Sequence, residues 1–452
     1  MTGVILQVGM ADFLPVLHGV RGNLAHIGNM MQRSFLERMG ASACRVLGIF
    51  LFLLAVAGLC PGAVSVQAGE SVAKDAKLGG DAQRTRFVTV LSKKVRFGIR
   101  TLADPYRVIV DLSDVRLDLP KGRGEEAHGL VKGYRYGRVE PFGVRIILDV
   151  DGPVRVEKAS IWEQSGDNPP RLVVDLVKST RKAFLEKQRK ELASIRREHK
   201  REQAREQKHL PVPKRRNDAK KVIVIDPGHG GIDPGAVSKS GLEEKEIVFE
   251  FSQQLAKHLR KEGRYEVVMT RTVDTYIPLR KRVDIARDIA ADLFISIHAD
   301  ALPGRYADSV SGATVYTLSE DASDDEAKEL AAKENKSDII AGVALPPEAD
   351  DVANILIDLA QRETKNLSIS FAGTLIDSLN GTTKLTKKYR KFAGFRVLKA
   401  PDVPSVLLEL GYMTNASDVR RLQSQAWRIK VAKAISRSID AYFAKKTAHN
   451  PY

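Results

Sequence analysis

Cysteine is almost absent from this sequence. Cys44 and Cys60 are the only two among 452 residues, and both lie beside the first apolar segment. The rest of the chain can therefore form neither disulfides nor the cysteine-ligated metal sites of zinc fingers. Any metal site there must use histidine, aspartate or glutamate as ligands.

Long apolar runs are also lacking. The first apolar run, residues 46–57, is shorter than the typical membrane span of about 20 apolar residues. Arginines precede it and a small-residue motif at 66–68 follows it, which is the arrangement of a secretory signal peptide. We therefore expect residues 1–68 to be an export leader, with Met39 as a possible true start. An uncleaved N-terminal anchor is the alternative interpretation.

Acidic residues are outnumbered by basic ones, and the net charge of the chain is +16. Residues 178–221 hold 17 basic and 6 acidic residues, so this segment alone has a net charge of +11. The segment also has few apolar residues, too few to form the buried face of a core. Residues 179–220 are therefore predicted to be a basic linker. A nucleic-acid arm would carry similar charge but would interleave aromatic residues for stacking. We expect a solvated spacer that favours anionic surfaces, and no nucleic-acid partner.

One short pattern occurs three times between residues 84 and 178. An arginine and an aspartate bracket a β-branched run at 107–111, 145–149 and 171–175. Residues i and i+4 of a strand lie on one face, so the two charged ends are expected on the same side. With turn signals between them, these strands predict a small all-β domain at 84–178. It contains no histidine cluster and no nucleophile constellation, which favours a binding module.

These strands, together with the segments 101–107 and 129–136, resemble the AMIN domain of periplasmic cell-wall proteins. The resemblance implies a β-sandwich that recruits its owner to peptidoglycan at division sites.

Strands and helices alternate from Lys221 onward. Helices are predicted from about residue 245, from Leu279, and around Trp427. Strands are predicted at 222–226, 266–270, 293–297, 313–317, 395–398 and 405–409. This alternation predicts an α/β fold at 221–446, a mostly parallel sheet flanked by helices.

Three polar residues stand at the ends of these elements. His229 follows the first strand in a loop of glycines and prolines, Glu244 begins the first helix, and His298 closes the strand 293–297. Two histidines and one carboxylate are a ligand set of catalytic zinc, which leaves a fourth position for water. Singly, Glu244 could be a first-turn acid favoured by the helix dipole, and His298 a core histidine. Jointly, at the edges of one sheet, they favour a metal site.

A fourth polar residue, Glu409, lies inside the apolar strand 405–409. An unpaired charge there is costly, so this carboxylate either binds a cation or has a raised pKa suited to proton transfer. As a general base it would take a proton from water and then deliver it to a leaving nitrogen.

Together these segments resemble the zinc-dependent N-acetylmuramoyl-L-alanine amidases, and with the AMIN-like domain in front they are similar to the periplasmic cell-division type. The resemblance rests on 226–235, 241–245, 270–271 with Asp274 and Arg282, 296–300 and 408–412. It implies Zn²⁺ held by His229, Glu244 and His298, with Glu409 as the catalytic acid/base. Asp300 departs from the family, since many members have asparagine there.

An acidic, helix-prone stretch begins an insertion at about 319–390. It could be a surface helix pair, but it resembles the autoinhibitory helix of the division amidases, which implies a LytM-type divisome activator as partner. A carboxylate could fill the open position of the zinc, and we hypothesise Glu334 for this role, with Glu329 second. Candidate activator contacts, equally natural as core residues, are Val352, Ile355, Leu356 and Leu359.

The sequence thus predicts a periplasmic, monomeric zinc amidase that separates daughter cells by cutting between N-acetylmuramic acid and the L-alanine of the stem peptide. Two alternatives stay open. One is a catalytically silent peptidoglycan-binding protein that keeps the fold, and the other is a zinc peptidase that cuts within the stem peptide.

Overall fold

The computed structural model describes residues 70–119, 124, 127–163, 168–190, 220–302, 304, 310–343 and 355–449. The predicted leader, with its apolar run 46–57 and Met39, lies outside the described residues, as does most of the predicted linker. None of the helices in the described ranges is both long enough and apolar enough to span a membrane.

The N-terminal part is a β-sandwich of two sheets, as predicted. One sheet has the strand order β5-β1-β2-β9-β8 and the other the order β3-β4-β7-β6. Side chains such as Phe87, Val110, Ile146 and Leu176 fill the core between the sheets and are completely buried. The strands are β1 Ser71–Gly80, β2 Arg84–Leu91, β3 Phe97–Leu102, β4 Arg107–Leu112, β5 Val115–Leu117, β6 Val131–Val139, β7 Gly143–Val150, β8 Val154–Trp162 and β9 Arg171–Lys178.

The repeated charge pattern explains how two of these strands pair. Strands β4 and β7 are antiparallel, and their register places Arg107 opposite Asp149 and Asp111 opposite Arg145. Each arginine therefore faces the aspartate of the other strand on the outer face of the sheet, since the residues between them alternate into the core. Arg145 Nε donates to Asp111 Oδ1 at 2.6 Å.

The C-terminal part is an α/β domain, as predicted. Its six strands have the order β11-β10-β12-β15-β13-β14; the first four are mutually parallel, and β13 and β14 run the opposite way. The strands are β10 Lys221–Pro227, β11 Tyr265–Met269, β12 Leu293–His298, β13 Ala313–Leu318, β14 Leu385–Ala393 and β15 Ser405–Glu409. The helices are α1 Glu244–Glu262, α2 Leu279–Asp288, α3 Asp325–Glu334, α4 Ser337–Ile340, α5 Ile355–Leu379, α6 Ala416–Gln423 and α7 Gln425–His449.

Helices cover both faces of this sheet. Apolar residues of α1, α5 and α7 pack on one face, where Phe251, Leu375 and Ile435 are completely buried. Helices α2 and α3 pack on the other face around Phe294 and Leu407. The predicted insertion therefore has two parts, since α5 packs on one face of the sheet and α3 packs on the opposite face.

One predicted strand is wrong. Residues 395–398 were expected to extend the sheet, but Arg396–Leu398 form a 3₁₀ turn after β14. Phe395, Val397 and Leu398 are buried beneath α2 and β13, so the apolar run reflects burial and not strand pairing. A run this short has no periodicity that separates the two cases.

Asp226 at the end of β10 is a completely buried carboxylate. It accepts hydrogen bonds from Thr270 Oγ1 at 2.6 Å, Ser296 Oγ at 2.8 Å and Arg282 Nη1 at 2.8 Å. Burial by itself raises a carboxyl pKa, but Arg282 and the two hydroxyls hold the pKa of Asp226 below its ordinary value. The pair is therefore ionised in the interior.

We expect Asp226→Asn to lower the free energy of unfolding by about 3–5 kcal/mol, because the variant leaves the Arg282 charge buried without its carboxylate. Urea denaturation followed by circular dichroism measures the loss. The matched control is Asp402→Asn, which removes an exposed pair with Arg287 and should cost no more than about 1 kcal/mol. Equal losses in the two variants would contradict the assignment of this pair as a buried anchor.

Candidate active site

The first site residue, His229, is held by the loop that follows β10. Arg282 Nη1 donates to the Pro227 carbonyl at 2.7 Å, and its Nη2 donates to the His229 carbonyl at 2.8 Å. Gly228 makes a close approach that no other residue could make, because a Cβ there would lie 2.5 Å from the His298 ring. The glycine-rich loop thus brings the two imidazoles together, with ring centroids 5.0 Å apart.

Glu244, the first residue of α1, lies between the two histidines. Its Oε2 is 3.2 Å from His229 Nε2, and its Oε1 is 3.3 Å from His298 Nδ1. Backbone amides of Ala236 and Ala299 donate to the same two oxygens at 2.9 and 2.8 Å. Burial alone would raise the pKa of Glu244, but the two histidines hold it well below its usual range. The structure therefore brings all three predicted metal ligands to one point.

The donor atoms at this point fit a metal ion. His229 Nε2 and His298 Nδ1 are buried, and neither has a hydrogen-bond partner among the residues that the structure describes. A buried polar atom without a partner costs about 1–3 kcal/mol, so two such atoms aimed at one place call for a common partner. Two imidazole nitrogens with carboxylate oxygens are a donor set suited to zinc.

Asp233 orients the first of these imidazoles. Its Oδ2 lies 2.9 Å from His229 Nδ1, and its Oδ1 accepts from the Gly235 amide at 3.1 Å. A carboxylate behind a ligating histidine fixes the ring and leaves the other nitrogen free to bind metal. Sequence reasoning gave Asp233 no role, although its position four residues after His229 in a second Asp-Pro-Gly turn was a usable signal.

Glu409 lies beside the histidines because β12 and β15 are adjacent parallel strands, in a register that pairs it with His298. The Asp300 amide donates to Glu409 Oε2 at 3.0 Å, while Oε1 is buried without a hydrogen-bond partner in the described ranges. Burial, with Asp300 and Glu244 nearby, raises the pKa of Glu409 well above its ordinary value. Such a carboxyl can hold a proton and give it up.

Glu334, the last residue of α3, reaches the same point from the opposite side. Its Oε2 is 3.3 Å from His298 Nδ1 and 3.6 Å from His229 Nε2, and its side chain is buried. His229, His298 and Glu334 form a cluster that could hold a metal ion, since their ligand atoms all lie within 4.8 Å of one another. Glu329, by contrast, lines a cleft with Ala301 and Lys333 beside the site.

Lys333, which the sequence did not single out, anchors the same helix end. Its Nζ donates to Asp300 Oδ1, the residue where the sequence departs from the family pattern. Burial and the carboxylates of Glu334 and Glu244 raise the pKa of Asp300 to about 7, although Lys333 opposes this.

Little space is left around the two imidazoles. The cavity bordered by Gly228, His229, His298 and Glu334 has a volume of about 10 Å³. A single water needs at least about 10–15 Å³, so this cavity is too small to hold a peptide.

Comparison with known proteins agrees with this architecture. A family model described as N-acetylmuramoyl-L-alanine amidase matches residues 223–441, and an AMIN domain model matches residues 76–176. The amidase AmiC of Escherichia coli O6:H1 is 34% identical over 366 residues, which cover 80% of this chain and 87% of the relative.

Two further relatives have the same kind of name. AmiC of Neisseria meningitidis serogroup B is 31% identical over 385 residues, covering 79% of this chain and 86% of the relative. AmiA of Escherichia coli K12 is 38% identical over 236 residues, covering 52% of this chain and 80% of the relative. The chain therefore belongs to the N-acetylmuramoyl-L-alanine amidase family and carries an AMIN domain ahead of its amidase domain.

Proposed function

We propose that this protein hydrolyses the amide bond between N-acetylmuramic acid and the L-alanine of the peptidoglycan stem peptide, with Zn²⁺ held by His229, Glu244 and His298. The observation that carries the proposal is the pair of buried, partnerless imidazole nitrogens that meet the Glu244 carboxylate beside Glu409. When bound, zinc supplies Lewis-acid chemistry toward water and a substrate carbonyl.

The chain's own residues supply the rest of the chemistry. Asp233 orients His229, and the Asp300 amide holds one oxygen of Glu409 so that the other faces the site. Glu409 takes a proton from the attacking water and passes it to the leaving nitrogen of the alanine. The surrounding apolar strands exclude bulk water, which strengthens these electrostatic contacts.

Glu334 is proposed to hold the resting enzyme closed. Its carboxylate lies within 4.8 Å of the ligand atoms of His229 and His298, where it could contact a bound metal, and Glu334 and Ser337 line the small cavity at the two imidazoles. A LytM-type activator is the proposed partner that displaces the helix; its candidate contacts at Val352, Ile355, Leu356 and Leu359 have side chains outside the described residues.

The cellular role and the domain plan follow as proposals from the family. We propose a monomer that is exported to the periplasm by a leader at 1–68, splits the septal wall and separates daughter cells. Its other parts are an AMIN domain at 84–178, a basic linker at 179–220 and an amidase domain at 221–446 with an insertion at about 319–390.

The products of digested peptidoglycan test this proposal. We expect the full chain, and more strongly its Glu334→Gln variant, to release free stem peptides with a new N-terminal alanine, which mass spectrometry identifies. A chelator should abolish release and added Zn²⁺ should restore it, because the imidazoles and carboxylates alone supply no Lewis acid. Cut stem peptides would indicate a peptidase instead. No product from either protein would indicate a silent wall-binding protein.

A further inference from the structure

We propose that the AMIN domain takes part in the autoinhibition of this enzyme, because one outer face of its sandwich is the docking surface for the segment that carries Glu334. We call residues 325–343, which comprise α3, α4 and the following turn, the regulatory segment. We call the outer face of the sheet β3-β4-β7-β6, with Arg100, Arg107, Arg135 and Arg145, the arginine face. The inference rests on the proposed inhibitory role of Glu334 and extends it to a second domain.

Each arginine of this face donates to the end of the regulatory segment. Arg145 Nη1 donates to the Ala341 carbonyl at 2.8 Å, and Arg107 Nη1 donates to the Ile339 carbonyl. Arg100 Nη2 donates to the Gly342 carbonyl at 3.0 Å and Arg135 Nη2 to the Ile340 carbonyl at 3.2 Å. Four consecutive carbonyls thus each accept from a different arginine.

The chemistry of the two surfaces is complementary. The last carbonyls of a helix have no partner within it and carry partial negative charge, which guanidinium groups satisfy. Arg107 and Arg145 are nearly inaccessible to solvent, at 2% and 0% exposure. Charged groups so deeply buried need acceptors, and the regulatory segment provides them.

The arginine face is ordered by its own aspartates. Asp111 holds Arg145 and also lies 3.0 Å from Arg100 Nη1, while Asp149 pairs with Arg135. These arginine–aspartate pairs lie within the sandwich itself, and by orienting the guanidinium groups they lower the entropic cost of docking.

Apolar contacts complete the docking surface. Ala341 is completely buried in a cluster with Ile109 and Ile147 of the sandwich, and Val343 packs against it. Gly342 has a left-handed φ of 65°, and a Cβ there would lie 2.6 Å from Ile109 Cδ1. The backbone conformation favours glycine here, and a larger side chain would also have to displace Ile109.

A buried aspartate links the docked end to the amidase domain. Asp338 Oδ1 accepts from Tyr276 Oη at 2.9 Å and from the Leu279 amide at 3.0 Å. The Tyr276 amide donates to the Arg138 carbonyl of β6, and its carbonyl accepts from the Glu140 amide, both at 3.0 Å. Asp338 follows Glu334 by only four residues. The Glu334 carboxylate therefore cannot move far from the histidines unless the end of the regulatory segment also detaches.

The role of the AMIN domain in autoinhibition is tested in the full chain with one variant on the arginine face and one in the regulatory segment. We expect Arg107→Ala and Gly342→Val each to raise basal hydrolysis of dye-labelled peptidoglycan at least about fivefold, because weaker docking increases the open population. Amide hydrogen exchange within 325–343 should rise in both variants. The matched control is Arg86→Ala on the other sheet of the sandwich, where Arg86 pairs with Asp175 at 2.6 Å and no described bond joins it to the regulatory segment.

The readouts separate this inference from the proposed function. If Glu334→Gln raises hydrolysis while Arg107→Ala and Gly342→Val match the wild type, the AMIN domain has no role in autoinhibition. The inhibitory role of Glu334 would still be supported. If no variant hydrolyses peptidoglycan, the proposed function is wrong. If amide hydrogen exchange within 325–343 is unchanged in Arg107→Ala and Gly342→Val, the proposed docking is wrong. Equal effects of Arg86→Ala and Arg107→Ala would overturn the inference, because general weakening of the sandwich would then explain both.

Discussion

Replacing Glu334 with glutamine should raise the basal rate of peptidoglycan hydrolysis by about tenfold or more, which requires the loss of only about 1.4 kcal/mol of inhibitory contact. The carboxylate now lies 3.3 Å from His298 Nδ1 and 3.6 Å from His229 Nε2, inside the donor set proposed for zinc. A neutral amide of the same size is a poorer metal ligand, so the closed state loses stability relative to the open state.

Release of soluble fragments from purified peptidoglycan measures this change, in the absence of any activator. Glu329→Gln is the matched control, because Glu329 lies on the same helix but lines the outer cleft with Lys333. Zinc content should stay the same in both variants, since His229, Glu244 and His298, the three residues proposed to hold the metal, are unchanged. A rate that rises in Glu329→Gln and not in Glu334→Gln would transfer the inhibitory role to the other carboxylate.

Variants at the metal site and variants at the docking surface should raise the basal rate by different amounts. Glu334→Gln removes the contact at the metal site itself, whereas Arg107→Ala and Gly342→Val weaken docking at the far end of the segment. None of these substitutions changes Lys333 or Asp300, which pair with each other. A combined Glu334→Gln and Gly342→Val variant should therefore be more active than either single variant, unless one contact alone holds the helix.

The geometry of the candidate site was open to prediction because it depends on strand ends. His229 follows β10 and His298 ends β12, both mostly apolar strands, and adjacent parallel strands present their carboxyl ends at one edge. Glu409 stood out as a charge within an apolar strand, and its register opposite His298 follows from the same topology. The polar residues at these ends were thus placed by the periodicity of the chain.

The contact between domains was not open to prediction. The Arg-x₃-Asp pattern predicted strands with both charges on one face, and the structure agrees, but no local signal says what covers that face. Arg107 and Ile339 are 232 residues apart in sequence, and carbonyl acceptors leave no trace in side-chain composition. Lys333 was missed for a similar reason, since a lysine on an acidic surface helix looks solvated until its partner Asp300 is known.

Glu409→Gln should reduce turnover by a factor of about 10²–10⁴, the usual contribution of a general acid/base. The variant is best made in the Glu334→Gln background, where the site is open and the rate is high enough to measure a large loss. Glutamine keeps the hydrogen bond from the Asp300 amide, which Glu409 Oε2 now accepts at 3.0 Å, so the strand and the loop should stay in place. Fragment release from peptidoglycan gives the rate.

Zinc content separates a proton-transfer role for Glu409 from a metal-binding role. His298→Ala removes a proposed ligand and should lose both metal and activity, whereas Glu409→Gln should lose activity and keep the metal. The reason is geometric, because Glu244 lies between both imidazoles while the free oxygen of Glu409 is buried beside them without a hydrogen-bond partner in the described structure. Loss of zinc from Glu409→Gln would instead place Glu409 among the ligands, and full activity would mean that another group moves the proton.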